Sequence, residues 1–441
     1  MEKQNCYMKS YLFLALALLP ALIGEAQTAE HVIVITVDGF RPDFYLDSVW
    51  NTPNIKQLMA GGTYAYGVNS DFPSITYPSH TTIVTGVMPV QHGIYYNNMF
   101  EPTGSTGKMY WNNSSIKVPT LWEAAQKKGL KVASLLWPVS AEAPVLYDIP
   151  DIGGMGDSVR EAYSKPAGFT AELREKVFGG ATKIEYGKDE NIGRIAAYVI
   201  QKDQPSLMTI HLFSVDHSEH VQGRNGPMVR AAIADADSAV GIIVGALKQA
   251  GIWDKTVIIV TGDHGFLNVT ESVNPNVWLA GAGLITDIKR DDWKAQFNAA
   301  GGSSYLYLKD KNDKATLNKV MELMAGLPEE DRNYFRIIDR SELDRVGANP
   351  EVALALSGLA GASFGNDAAG MAIKPAGGGT HGYFPDFREI QTGFVAYGPG
   401  ITRGGMIRVM NLTDIAPTVA ALLGIPFPSA KGHIPTGLLS K

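Results

Sequence analysis

The chain has a single cysteine, Cys6, and it lies ahead of an apolar run near the N-terminus. The residues beyond that run carry no thiol, which excludes disulfides, thiolate nucleophiles and sulfur-ligated metal sites there. A basic excess is missing too. Lys and Arg number 38 against 44 Asp and Glu, a net charge of −6, which offers no footprint for a nucleic-acid polymer. Internal repeats and low-complexity linkers are absent. The apolar run over 11–24 is short of the roughly 20 residues that span a bilayer.

That run reads instead as part of a secretory leader. Lys3 and Lys9 precede it, and Gly24 and Ala26 provide small residues for a cleavage site. A signal peptide over 1–26 predicts a periplasmic or secreted protein with no membrane span after cleavage. Its loss removes Glu2, Lys3, Lys9 and Glu25, so the net charge is unchanged. A large secreted chain without cysteine points to a bacterial envelope. Asn113 and Asn411 open glycosylation sequons that matter only in a eukaryotic secretory path.

The 441 residues are 45% hydrophobic, enough for one large or two ordinary domains with a sizeable core. Continuous β-branched runs over 31–37, 131–137, 206–215 and 256–261 predict strands buried on both faces. Between them, patterns over 55–60, 120–128, 190–202 and 227–250 predict helices. In the last, Val229, Ile233, Ala236, Val240, Val244 and Leu247 recur at helical period. Strands alternating with helices give an α/β fold: a mostly parallel central sheet with helices on both faces. Residues 143–163 read as irregular. The alternation loosens over 273–376, predicted to be an insert that caps the site. The sheet resumes with a strand over 392–397 and closes on a helix over 414–423.

The chemistry gathers around residues 71–86, DFPSITYPSHTTIVTG. Pro78 fits a helix's first turn, where its missing N–H is no loss. Thr76 then sits just ahead of the N-terminus of a buried helix, where unpaired N–H groups and the dipole favour a phosphate. A hydroxyl there is a candidate nucleophile, provided something activates it. Taken alone, the stretch fits a threonine N-cap better than a nucleophile, and the rest of the chain reverses that.

Asp38, Asp216 and Asp263 each follow a predicted buried strand, at the edge where open α/β sheets bind ligands. Three carboxylates converging there repel one another unless a cation lies between them. His220 follows Asp216 by four, on the same side of a helical turn. His264 adjoins Asp263, and His381 lies in the glycine loop GGGTHGYF. His and Asp without thiolate fit catalytic zinc. Two ions roughly 3.5–4 Å apart would clamp the attacking and leaving oxygens of a phosphoryl transfer. Asp38, Asp263, His264 and Thr76 are expected to hold one. Asp216, His220 and His381 are expected to hold the other. The first ion supplies the activation Thr76 needs. His80, His92, His211 and His217 are read as structural or as supporting the ligands from behind, not as ligands.

The segments VDGFRPDF, TPNIKQLMAGG, TYPSHTTIVTG, HGIYYNNMF, LLWPVS, VDHSEH, TGDHGF, THGYF and TDIAPTVAALLGI run in order from Ile33 to Ile425. Together they resemble the nucleotide pyrophosphatase/phosphodiesterase family of the alkaline phosphatase superfamily. The resemblance implies one alkaline-phosphatase-like domain over 27–441 and the two zinc sites above. It implies Thr76 as nucleophile and Asn97 as donor to a phosphoryl oxygen. It also implies a covalent phospho-threonine that is hydrolysed with net retention at phosphorus. Tyr77 and Tyr147 match or approach aromatic positions that stack a nucleotide base, while His211 stands where the family has a further tyrosine.

Monoesterases of this superfamily add a Lys-x-Arg pair after the strand equivalent to 131–137. Here Trp137-Pro138-Val139-Ser140-Ala141-Glu142 carries no cation. The sulfatase motif is also absent around Thr76. The expectation is a small-molecule phosphodiester or nucleotide pyrophosphate substrate. A phosphomonoesterase, a choline-lipid diesterase and a non-catalytic binding protein are the alternatives.

Overall fold

The computed structural model describes residues 29–359 and 361–440. The expected leader lies outside them. A nine-stranded sheet runs in the order Gly405–Ile407, β2 (Thr63–Asn69), Thr392–Tyr397, β6 (Thr256–Thr261), β1 (His31–Val37), β5 (Leu207–Leu212), β3 (Val132–Leu135) and β4 (Tyr147–Ile149), with Met410–Asn411 also pairing β2. Only Thr392–Tyr397 runs against its neighbours. The pairings of β1 with β5 and β6, and of β3 with β4 and β5, are all parallel.

The two-residue period of β1 divides the core. Ile33, Ile35 and Val37 face the layer holding the long helix Pro227–Gln249 and the helix Asp189–Asp203. Val32 and Val34 face the layer holding the nucleophile helix and the closing helix Ile415–Leu422. Being apolar on both faces is what makes the run continuous rather than alternating. Trp122 and Leu121 enter the second layer from a helix that Thr120 and Glu123 open with a reciprocal capping box.

Two expectations are corrected. Residues 143–163 are not irregular: β4 extends the sheet, and Asp157–Tyr163 is helical. The strand is three residues long, too short for periodicity to show. The other concerns Asp216, which is not at the strand end. It sits in the first turn of the helix Ser214–Gln222, beyond β5.

The segment over 273–376 builds its own antiparallel sheet in the order Ala295–Ala300, Ser303–Leu308, Leu354–Gly358, Phe335–Ile338. One face, with Phe297, Leu306 and Leu356, closes over the helix Lys314–Ala325 to form a separate core. The other face brings Tyr305 and Tyr307 against Phe72, Ile75 and Tyr96. The insert thus docks on the loops that carry the nucleophile helix. Among the described residues no helix is long and apolar enough to cross a membrane.

Candidate active site

Thr76 is the first residue of the helix Thr76–Thr85, with Ile75 at the N-cap. The threonine N-cap alternative therefore does not hold. The helix is capped from outside instead: Asn97 Oδ1 accepts the backbone N–H of Tyr77 at 2.9 Å. That bond fixes the amide and leaves Asn97 Nδ2 free as a donor beside Thr76. His80, one turn on, meets the Thr76 carbonyl through Nδ1 at 2.8 Å and Thr36 Oγ1 through Nε2 at 2.8 Å.

The carboxylates meet at the carboxyl edge of the sheet. His264 Nε2 lies 3.2 Å from Asp38 Oδ1 and 3.1 Å from Asp263 Oδ2. Asp216 Oδ1 lies 3.4 Å from His220 Nε2 and 3.5 Å from His381 Nε2. The rings of His264 and His381 stack at 3.6 Å, 7° from parallel. Two groups have ligand atoms close enough to share an ion: Asp38 with Asp263 and His264, and Asp216 with His264 and His381. His264 belongs to both, and His220 approaches Asp216 from the more exposed side.

Asp38 Oδ1, Asp216 Oδ1, Asp263 Oδ2 and His264 Nε2 are buried without a hydrogen-bond partner. Such atoms cost free energy unless something else satisfies them. Burial, then the charge of Asp216, holds the Asp38 carboxyl well above its usual range. Burial and then Asp38 do the same to Asp263. Burial lowers His381 to about 4, and burial with His381 nearby lowers His264 well below the ordinary histidine value. Crowded anions beside neutral imidazoles are a donor set for divalent cations, and its oxygens and nitrogens suit zinc.

The family model for type I phosphodiesterase/nucleotide pyrophosphatase matches residues 32–363. The chain belongs to that family. It is 31% identical over 274 residues to an uncharacterized pyrophosphatase/phosphodiesterase of Schizosaccharomyces pombe, covering 59% of this chain and 50% of the relative. It is 26% identical over 419 residues to human ectonucleotide pyrophosphatase/phosphodiesterase family member 1, covering 91% and 41%. The chain thus spans half or less of these two relatives' lengths. The fold is that of murine ectonucleotide pyrophosphatase/phosphodiesterase 5, with a TM-score of 0.68 at 20% identity over 93% of this chain and 100% of that one. The same murine protein has been solved in an inactive threonine-to-alanine form in complex with AMP.

In this member of the phosphodiesterase family the two tyrosines expected to stack a base do not line the cleft that opens beside Asn97, His220 and His381. Tyr77 packs against Ile94 and Val139, and its hydroxyl donates to Asp151 at 3.2 Å. Tyr147 lies on β4 against Phe169 and donates to Asp203 at 2.5 Å. Both hydroxyls are held by carboxylates, a partnership their sequence neighbours do not announce. Of the four histidines read as structural, His80, His92 and His211 are buried and hydrogen-bonded, while His217 is exposed. His211 nonetheless touches the site. Its Nε2 is 3.0 Å from Asp38 Oδ2, and its Nδ1 is 3.0 Å from the Leu136 carbonyl. The signals for it were a polar residue in an apolar strand and its place where the family has a further tyrosine.

Arg41 was missed as well. Its guanidinium is buried, with Nη1 2.6 Å from Glu219 Oε1 and Nη2 2.8 Å from Asp43 Oδ2. It ties the loop after Asp38 to the helix carrying Asp216 and His220. Removing one partner of a buried pair leaves an uncompensated charge, so Arg41→Met should cost about 3 kcal/mol in urea unfolding. Adding Glu219→Leu should recover most of that loss. A double variant as unstable as the single one would show that the pair does not connect the two ligand segments.

Proposed function

We propose that the chain is a two-zinc phosphodiesterase that works through Thr76. The observation that carries this reading is the set of buried, unpartnered carboxylate and imidazole atoms at the sheet edge nearest the nucleophile helix. Zinc held by Asp38, Asp263, His264 and Thr76, and by Asp216, His220 and His381, would supply charge neutralisation and a lowered threonine pKa. Thr76 Oγ1 gives up its proton to solvent and attacks phosphorus in line. The bond to the leaving alcohol breaks, and that oxygen departs with a proton from solvent. Asn97 Nδ2 donates to a phosphoryl oxygen as charge builds there. Water then cleaves the threonyl ester, giving a phosphomonoester and restoring the hydroxyl. Two inversions give net retention.

Family membership supports a phosphodiester or pyrophosphate substrate. The inactive threonine-to-alanine form of the murine relative supports a threonine nucleophile. The segment after β3 disfavours a monoesterase. Leu136 and Val139 turn it sharply at positive φ, and Trp137 packs edge-on to His80 at 4.8 Å, with no lysine or arginine among residues 136–142. A dianionic monoester would leave an oxygen without a cationic partner. Export through the 1–26 leader completes the reading, with periplasmic or extracellular diesters as substrates.

The test is a paired rate on zinc-loaded protein with bis-p-nitrophenyl phosphate and p-nitrophenyl phosphate. A kcat/KM clearly higher for the diester is expected, and a monoester preference would overturn the substrate assignment. Asn97→Ala should lower kcat on the diester by about 10²-fold, the usual cost of one oxyanion donor. An unchanged kcat would remove Asn97 from the chemistry.

A further inference from the structure

A cleft of about 880 Å³ opens between the sheet edge and the insert. It meets the candidate centre at His220 and His381, beside Ile75 and Asn97. In an in-line displacement the attacking and leaving oxygens lie on opposite sides of phosphorus. Thr76 was assigned to the group of Asp38 and Asp263, so the group of Asp216, His220 and His381 faces the departing oxygen. The cleft is continuous with that second group. We propose that it receives the leaving alcohol of the diester, and that this alcohol is a sugar-sized, uncharged polyol. The inference rests on the phosphodiesterase reading and specifies its substrate class.

The lining carries the argument. Amide side chains come from Asn97, Asn98, Gln296, Asn298 and Asn366, and from Asn276, whose amide is taken up by the Phe297 backbone, with Lys289 the lone lysine or arginine among the residues that line the cleft. Their free ends are defined by the bonds they already make. Asn97 accepts from Tyr77 and keeps its NH₂. Asn366 Oδ1 accepts from the Ala299 N–H at 2.8 Å and keeps its NH₂ as well. Gln296 Nε2 donates to the Pro102 carbonyl at 2.9 Å and keeps its oxygen. Asn298 is half-buried and uncommitted to another described residue. A hydroxyl both donates and accepts, so a wall offering uncharged donors and acceptors together suits several hydroxyls on one ligand.

Other ligands fit less well. A quaternary ammonium group seeks aromatic faces. Here Phe297 points into the insert's core, one face of Phe100 is covered by Tyr307 at 3.7 Å, and Tyr96 is buried against Tyr305 at 5.1 Å. A second phosphate would meet Lys289 alone. The carboxylates of the lining are already engaged, Glu101 with Thr106 and Asp367 with Lys374. The rings of Tyr77 and Tyr147, expected to stack a base, lie elsewhere.

Strand geometry fixes which residues form this wall. Gln296 pairs with Tyr307 and Asn298 with Tyr305 across an antiparallel ladder. Alternation puts these four on the face toward the nucleophile segment, and Phe297 and Leu306 on the opposite face. Asn298 is therefore the specificity-determining position to test.

The probes are three diesters of propyl phosphate, made with glucose through its 6-hydroxyl, with propanol and with choline. Zinc-loaded wild-type protein should cleave the glucose diester with a kcat/KM at least about tenfold above the dipropyl ester, as a site built to bond hydroxyls discriminates against a ligand lacking them. It should release glucose and propyl phosphate. Asn298→Leu, and Asn298→Ala as a milder variant, should bring the glucose-to-propyl ratio toward one. Equal rates in the wild type, a preference for the choline diester, release of propanol from the glucose diester, or an unchanged ratio in both variants would overturn the inference. Bis-p-nitrophenyl phosphate separates the two levels of failure. Hydrolysis of it without a glucose preference sinks only the polyol assignment, whereas no hydrolysis of any diester sinks the phosphodiesterase reading and this inference with it.

Discussion

Thr76→Ala should abolish diester turnover, with a fall on the order of 10⁴-fold or more, the scale of losing a nucleophile from a concerted constellation. The fold should survive the change. Thr76 is not the N-cap of its helix, and the cap bond runs from the Tyr77 N–H to Asn97. The helix is otherwise seated by Ile83 and Val84 in the second core layer. Thermal unfolding of the variant should therefore stay within a few degrees of the wild type, while the rate on bis-p-nitrophenyl phosphate disappears. Retention of a tenth or more of the rate in a folded variant would mean that water attacks directly and that Thr76 only binds.

The second large effect is on metal. His381→Ala should lose about one zinc per chain by elemental analysis and most of the activity, since three ligands are the usual minimum for a catalytic zinc. His217→Ala should keep both ions, because His217 makes no ion pair with Asp216 among the described residues, whereas the equally exposed His220 lies 3.4 Å from it. Equal loss in the two variants would sink the ligand assignment. The titrations give a further check. Burial holds His381 near 4, so protons do not compete for this ring until the pH approaches that value. Burial and the charge of Asp216 raise Asp38, and burial and the charge of Asp38 raise Asp263, so both take up protons at a higher pH than ordinary carboxyls. Metal binding must displace those protons, and affinity should fall as pH falls, through the carboxylates before the imidazole.

Much of this site was legible because its residues lie in segments whose pattern is local. Asp38 and Asp263 stand just past β-branched runs that can only be buried strands, and the i to i+4 step from Asp216 to His220 survives whether the turn begins at the strand end or in the helix beyond it. The sheet followed from the same runs. The unread parts depend on long-range packing. Arg41 finds Glu219 across 178 positions, and His211 finds Asp38 across 173. Neither pair has a local signature. Tyr77 and Tyr147 misled for the same reason, as their hydroxyls are claimed by Asp151 and Asp203 and their rings by the core. The amide wall was hidden because Gln296 and Asn298 acquire meaning only when the strand that alternates them is placed against the nucleophile segment.

The most direct test of the account is to trap the covalent intermediate. Zinc-loaded protein would be mixed with excess bis-p-nitrophenyl phosphate, quenched in acid during turnover, digested and analysed by mass spectrometry. The account requires a p-nitrophenyl phosphoryl group on the peptide containing Thr76, located on that residue by fragmentation and missing from Thr76→Ala. Rapid turnover with no adduct at any quench time, or an adduct on a different residue, would contradict Thr76 as the nucleophile.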